Sequence, residues 1–303
     1  MKCRSRIFST RRVLVASIFA MTLLLVPAGS PYGADLQDIQ KQGVLRHLGI
    51  PYANFVTGDG DGLEVELVRL FAQHIGVRYE FVETSWGSVI PDLTGKVVKP
   101  KGDDIEIIGE APVKGDIVAT GFSILPWREK IVKFSTPTFP TQVWLVTRAD
   151  SPLRPIQPVG DVEKDIAAVK ALLKGYRALG KANTCLDPSL YRLEEAGSPV
   201  KFFEGSLNEL VPAVLAGEAD YTMLELPDTF VALKKWPGRV KSIGPISPVH
   251  MMAYAFAKSS PQLRDAFNRF FDQCMQDGTY RQLVQKYYPA IFQYYPEFFR
   301  AKS

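Results

Sequence analysis

The chain has 303 residues, 46% of them hydrophobic and 22% charged, which is material for two domains of ordinary size with real cores and excludes a disordered chain. Its formal charge of +4 arises in the first 34 residues, where Lys2, Arg4, Arg6, Arg11 and Arg12 stand without any acid; removing those five from 36 Lys and Arg leaves 31 against 32 Asp and Glu. That near-neutral balance excludes the basic footprint of a nucleic-acid-binding protein, and three histidines (His47, His74, His250) and three cysteines scattered singly exclude a metal cluster.

In chain order, the basic start runs into an uncharged, largely apolar stretch at 13–26 and then small residues at 30–34. Such a stretch is short for a bilayer span, which takes about 20 residues, and has the layout of a cleavable secretory signal over residues 1–34. An uncleaved anchor is the competing reading. Cys3 precedes the apolar run and therefore cannot be the lipid-bearing first residue of a mature lipoprotein, so a soluble periplasmic location is expected. Residues 36–42 read as a short polar helix and 44–50 as a strand entering the loop Pro51-Tyr52-Ala53-Asn54-Phe55. After a Gly/Asp turn, Leu63, Val65, Leu67, Val68, Leu70 and Phe71 recur at helical spacing and Gly76 stops the helix, while 77–82 alternates as a strand, giving a βαβ unit. A helix is expected from near Trp86 through Leu93. Residues 96–114, rich in Lys, Asp, Gly and Pro, read as an insertion.

The next segment, Gly115 to Lys130, carries the chemistry. A buried strand pattern (Ile117 to Ala119) is followed by Thr120, Gly121, Ser123 and one arginine, Arg128. Hydroxyls, an approachable main chain and a bidentate guanidinium are what a carboxylate needs. A strand at 142–147 between prolines 140 and 152 fits a crossing between lobes. Beyond it the pattern alternates: helix 161–174, strand 176–180, a helix after Asp187-Pro188, strand 200–203, helix 207–216, strand 220–224, helix 227–235. Strands at 242–246 and 251–256 return, and amphipathic helices at 261–274 and 280–287 close the chain. The result is an α/β chain of two lobes, each a mainly parallel sheet flanked by helices, one lobe interrupting the other: 35–141 with 252–303, and 142–251. Ligands bind beyond the carboxyl ends of such strands, where the loops 51–55, 120–128 and 181–185 fall. Glu225, before Pro227, places a carboxylate at the rim of the second lobe. Cys185 and Cys274 fall in different lobes; a disulfide is chemically allowed in an oxidising compartment, but free thiols are the favoured reading.

From Val44 to Tyr288 the sequence resembles the periplasmic solute-binding proteins of family 3, the polar amino-acid class of ABC-importer subunits. The resemblance rests on Gly62-Leu63-Glu64-Val65-Glu66-Leu67, on Trp86 with Ile90-Pro91-Asp92-Leu93, on Asp116 to Arg128, on Val132-Lys133-Phe134-Ser135-Thr136-Pro137 and on Asp277-Gly278-Thr279-Tyr280. It implies the type II periplasmic-binding-protein fold with its cleft between the lobes, a small amino-acid-like ligand and no cofactor. It also implies that Arg128, Thr120, Gly121 and Ser123 hold the ligand α-carboxylate, aided by Asn183 and Thr184, that Tyr52 or Phe55 packs on the ligand near Trp86, and that Glu225 takes the α-ammonium. This chain departs from the family habit at Leu125-Pro126-Trp127-Arg128, where a hydroxyl is lost and an aromatic gained, at Glu225 in place of Asp, and at Asn183-Thr184 in place of Gly-Thr.

Each residue has a plainer reading. Arg128 could be a surface charge paired with Glu129 or Asp116, Glu225 a carboxylate serving the dipole of the following helix, Trp86, Trp127, Tyr52 and Phe55 packing, and His250 structural. The aromatic run after Tyr287 could dock on the first lobe or form a partner patch. The favoured function is a monomeric, non-enzymatic subunit that captures an amino-acid-like carboxylate and presents it to a membrane permease. The alternatives are a dehydratase of the cyclohexadienyl type, with Glu225 or Glu83 as general acid, and a ligand-sensing module for a receptor. A similar lobe pair precedes a murein-cleaving domain in certain lytic transglycosylases; with the chain stopping at Ser303, no such domain is expected.

Overall fold

A computed structural model describes residues 33–300; the expected signal segment and Cys3 lie outside the described residues. In chain order the elements are α1 (Leu36–Gln42), β1 (Val44–Gly49), α2 (Leu63–His74), β2 (Arg78–Glu83), α3 (Val89–Thr94), β3 (Lys96–Lys101), β4 (Asp104–Glu110), β5 (Ile117–Val118), α4 (Pro126–Glu129), β6 (Val132–Phe134) and β7 (Phe139–Thr141). There follow β8 (Val143–Arg148), α5 (Val162–Ala171), β9 (Ala178–Gly180), β10 (Val200–Phe202), α6 (Leu210–Leu215), β11 (Tyr221–Glu225), α7 (Leu226–Lys235) and β12 (Val240–Pro245). The chain closes with β13 (His250–Met252), β14 (Ala255–Ala257), α8 (Pro261–Gln276) and α9 (Thr279–Tyr287).

Two five-stranded sheets organise two lobes. The first has the order β2-β1-β5-β14-β6 and the second β10-β9-β11-β8-β12. Each sheet is mixed, with two parallel pairings (β1 with β2 and β5; β9 with β10 and β11) and two antiparallel ones contributed by the strands that carry the chain across or back. The expectation of mainly parallel sheets therefore holds for the βαβ halves and gives way at the crossings. Two connections run side by side between the lobes as the antiparallel pair β7 and β13, with Thr141 opposite His250 and Phe139 opposite Met252.

Local chemistry explains the element ends. Asp35 and Asp38 form a capping box on α1, and Gly43 ends it in the left-handed region. Gly62 opens α2 at φ 134°, and a Cβ there would lie 2.3 Å from the Phe55 carbonyl oxygen, so the turn before α2 admits only glycine. The insertion at 96–114 is a β-hairpin, β3 with β4, apart from both main sheets. The helix expected after Asp187-Pro188 is a single 3₁₀ turn, Pro188–Tyr191.

The first lobe is built on aromatic packing: the Phe267 ring lies 4.5 Å from Tyr254 and 5.3 Å from Phe71, and burying each such ring is worth roughly 1.5–3 kcal/mol. The aromatic run after α9 docks on this lobe. The Tyr288 hydroxyl accepts from the Asn54 N–H at 2.9 Å, and buried Phe299 packs edge-on to Phe139. Tyr294 reaches the second lobe at Phe230 and Trp144. Cys185 and Cys274 are buried free thiols. Among the described residues, no helix is long and apolar enough to cross a membrane.

Candidate functional site

The carboxyl ends of β1 and β5 face those of β9 and β11 across the seam between the lobes. The loop after β5 is pinned from both sides. Thr120 Oγ1 donates to the Ile50 carbonyl at 2.7 Å and accepts from its N–H at 3.1 Å. The Gly121 N–H donates to Glu64 Oε2 at 2.7 Å, and residues 122–124 bond to the return crossing through Ile124 with Met251 and Ala253 with Phe122. Gly121 sits at φ 62°, where a Cβ would come within 2.7 Å of the Phe55 ring. The loop is thus held rigid before any side chain points into the cleft.

Arg128, on the single turn of α4, is buried. Its Nη1 donates to the Ser123 carbonyl at 2.9 Å and its Nη2 reaches the Asn183 carbonyl of the other lobe at 3.4 Å, while Nε has no hydrogen-bond partner. The guanidinium lies 3.9 Å over the Phe122 ring, with Trp127 at 5.3 Å and Trp86 at 5.9 Å. Burial lowers its pKa to about 10. The plain reading of a surface arginine is overturned: Asp116 is committed to Arg46, which donates to it at 2.7 Å, and Arg128 does not reach solvent.

Glu225 ends β11 and is fully buried. Three groups donate to it or share a proton with it: Ser123 Oγ at 2.6 Å, the Tyr52 hydroxyl at 3.1 Å and His250 Nε2 at 3.2 Å. Ser123 joins the two charges, its carbonyl on Arg128 and its hydroxyl on Glu225. The Cys185 thiol sits against Ser123 and Glu225, and burial pushes it well above the usual thiol range. Cross-lobe bonds from Asn208 add to these: Oδ1 accepts from the Ala53 N–H at 3.0 Å and Nδ2 donates to the Pro51 carbonyl at 3.3 Å.

Of the residues singled out in the sequence, Arg128, Ser123, Glu225, Tyr52 and Asn183 meet at this seam. Trp86 stands beside them, its ring 5.7 Å from Tyr52 and stacked at 6.3 Å on Phe122, and borders a cavity of about 480 Å³ that also touches Glu83, Lys181 and Glu204. Phe55 faces the core, against Tyr288 and Phe139. Thr184 spends its hydroxyl inside its own loop, donating to the Lys181 carbonyl at 2.8 Å and accepting from the Leu186 N–H. Trp127 packs in the small core with Ile90, Leu93 and Val132. Sequence reasoning missed Glu64 and Cys185 at this site and gave His250 no contact there. Glu64 carried a signal, a carboxylate within the apolar face of α2; the other two had none.

Two sheets, a double crossing and a cleft with an arginine on one side and a carboxylate on the other define a two-lobed solute-binding protein. The sequence model for bacterial extracellular solute-binding proteins of family 3 matches residues 111–290, and the chain belongs to that family. A solved mutant of ArgBP from T. maritima superposes with a TM-score of 0.66 at 21% identity, covering 84% of this chain and 99% of that one, and shares the fold. A probable amino-acid ABC transporter-binding protein of Haemophilus influenzae is 22% identical over 232 residues, 75% of this chain and 76% of that protein. The membrane-bound lytic murein transglycosylase F of Methylobacillus flagellatus is 25% identical over 286 residues, 91% of this chain and 54% of that protein. The expectation of a non-enzyme is corrected by this finding, since curated relatives matching most of the chain carry the name of a murein-cleaving enzyme. The chain spans about half the length of those relatives.

Proposed function

We propose that the chain captures an amino-acid-like small carboxylate between its lobes, with Arg128 receiving the carboxylate and Glu225 the ammonium. The observation that carries this reading is a buried guanidinium whose Nε is unmet, linked through Ser123 to a buried carboxylate on the opposite lobe. A zwitterion brings a carboxylate to the unmet guanidinium and a positive charge to Glu225 at once, and only with the lobes together, so ligand shifts the population toward the closed form. Asn183 and Tyr52 close on the ligand, Trp86 walls it, and Thr120, Gly121, Thr184 and Phe55 shape the loops around it. The lobes in this reading are 35–141 with 252–303, and 142–251. In the setting first expected, an exported monomer in the periplasm delivers its ligand to the permease of an ABC importer.

The transglycosylase relatives favour a second setting, in which this lobe pair is the ligand-reading part of a murein-acting enzyme and its ligand an amino-acid-like murein fragment. Both settings rest on the same cleft. Thermal-shift screening against amino acids, dipeptides and murein peptides tests it: a stabilising zwitterion supports the reading, and no stabilisation by any of them overturns it. Release of soluble fragments from purified murein would assign the second setting.

A further inference from the structure

We propose that a second pocket at the seam between the lobes takes a small organic cation, a single ammonium on an apolar body, with Asp228 as its counter-charge. The pocket is a cavity of about 280 Å³. One side is the loop after β1, through Tyr52, Asn54 and Thr57; the other comes from the 3₁₀ turn Leu207–Glu209, from α6 and β11, and from α7 with Trp236 at its end. Leu207, Val211, Leu224 and Trp236 make most of the wall apolar, and Asp228 is the acid among the lining residues.

Asp228 is 6% exposed, and neither of its carboxylate oxygens receives a hydrogen bond. The Tyr52 hydroxyl lies beside it but has one hydrogen, which it donates to Glu225 at 3.1 Å. A place in the first turn of α7 gives Asp228 a favourable dipole, yet the dipole leaves the lone pairs unmet, and a buried carboxyl without partners is costly. Burial accordingly pushes its proton affinity well above the usual carboxylate range. An ammonium brings several N–H donors and a positive charge to that point and answers both deficits. At the exposed rim stands Lys235, its Nζ 4.9 Å over the Trp236 ring. With an ammonium bound the floor is ionised beneath a positive rim, which selects a monoamine over a diamine. Because its walls come from both lobes, an occupied pocket also ties the lobes together.

The pocket shares Tyr52 with the Arg128 cleft, but Arg128, Ser123 and Glu225 do not line it, and the inference does not depend on what the cleft binds. Calorimetric titration of the full chain with phenethylamine tests it, with 2-phenylethanol as neutral isostere and cadaverine as diamine. Phenethylamine should bind at least tenfold more tightly than either, and Asp228→Asn should weaken it at least tenfold. Val231→Trp, which fills the cavity from its wall and leaves the acid in place, should do the same, so the test stands even where one variant folds poorly. Equal binding of amine and alcohol, amine binding unchanged in both variants, or no amine binding to the folded chain overturns the proposal. Carboxylates probe the cleft separately, so the two readings fail independently.

Discussion

Arg128 holds its charge where water does not reach it, stacked on Phe122 and bonded only to carbonyls. Carbonyl partners soften the cost of burying a guanidinium, but a carboxylate offers two parallel charge-assisted bonds that they cannot. Arg128→Ala should therefore cost about 2–5 kcal/mol of carboxylate affinity by calorimetry. Arg128→Lys should recover little of it, since a point charge lacks the planar fork. Gly121 is as constrained on the backbone side. Gly121→Ala forces an L residue to φ 62° and its Cβ into the Phe55 ring, so denaturant unfolding should show a loss of about 1–3 kcal/mol. Both residues were legible because their chemistry is local: glycine, hydroxyl and arginine within one short segment. Asp228, Cys185 and His250 were not, because their meaning lies in what α7, the 181–185 loop and the return crossing bring to them from far along the chain.

At the scale of elements, the start of α2 does the positioning. Its Glu64 reaches across to hold the Gly121 N–H, and burial raises that carboxyl from 4.5 to about 8. The folded chain thus keeps a proton that the unfolded chain releases between those values. The stability it contributes is full below pH 4.5 and is lost as pH rises through about 8. Glu64→Gln keeps an acceptor for Gly121 and removes the titration, so its unfolding free energy should be flatter from pH 5 to 8.5 than that of the wild type in denaturant titrations. The helices and the βαβ strands were readable because a buried face repeats with the period of its element. The hairpin of β3 and β4 was not. Its alternation is broken by Pro100, and the exposed Ile107 and Ile108 leave no clean two-faced pattern, so composition pointed to an insertion where pairing made strands.

Across the whole molecule, the seam is held by few polar bonds: Tyr52 and Ser123 to Glu225, Arg128 to Asn183, and the two from Asn208. A ligand that requires the closed form then pays in affinity for any closed-state bond that is removed, even one that never touches it. Asn208→Ala should weaken carboxylate binding roughly twofold to tenfold, the effect of about 0.5–1.5 kcal/mol for lost hydrogen bonds, with no change in which carboxylate is preferred. The two-lobed architecture was legible from the order of strands and helices and from the family resemblance. The mixed pairing of each sheet was not, because direction at a crossing depends on where the chain returns. The most direct test of the account is calorimetric titration of wild type and Arg128→Ala with amino acids and dicarboxylates. The account predicts that at least one zwitterion binds the wild type and that the folded variant binds it at least thirtyfold more weakly, the low end of the cost above; equal affinity in the two proteins, or no carboxylate bound by the wild type, would contradict it.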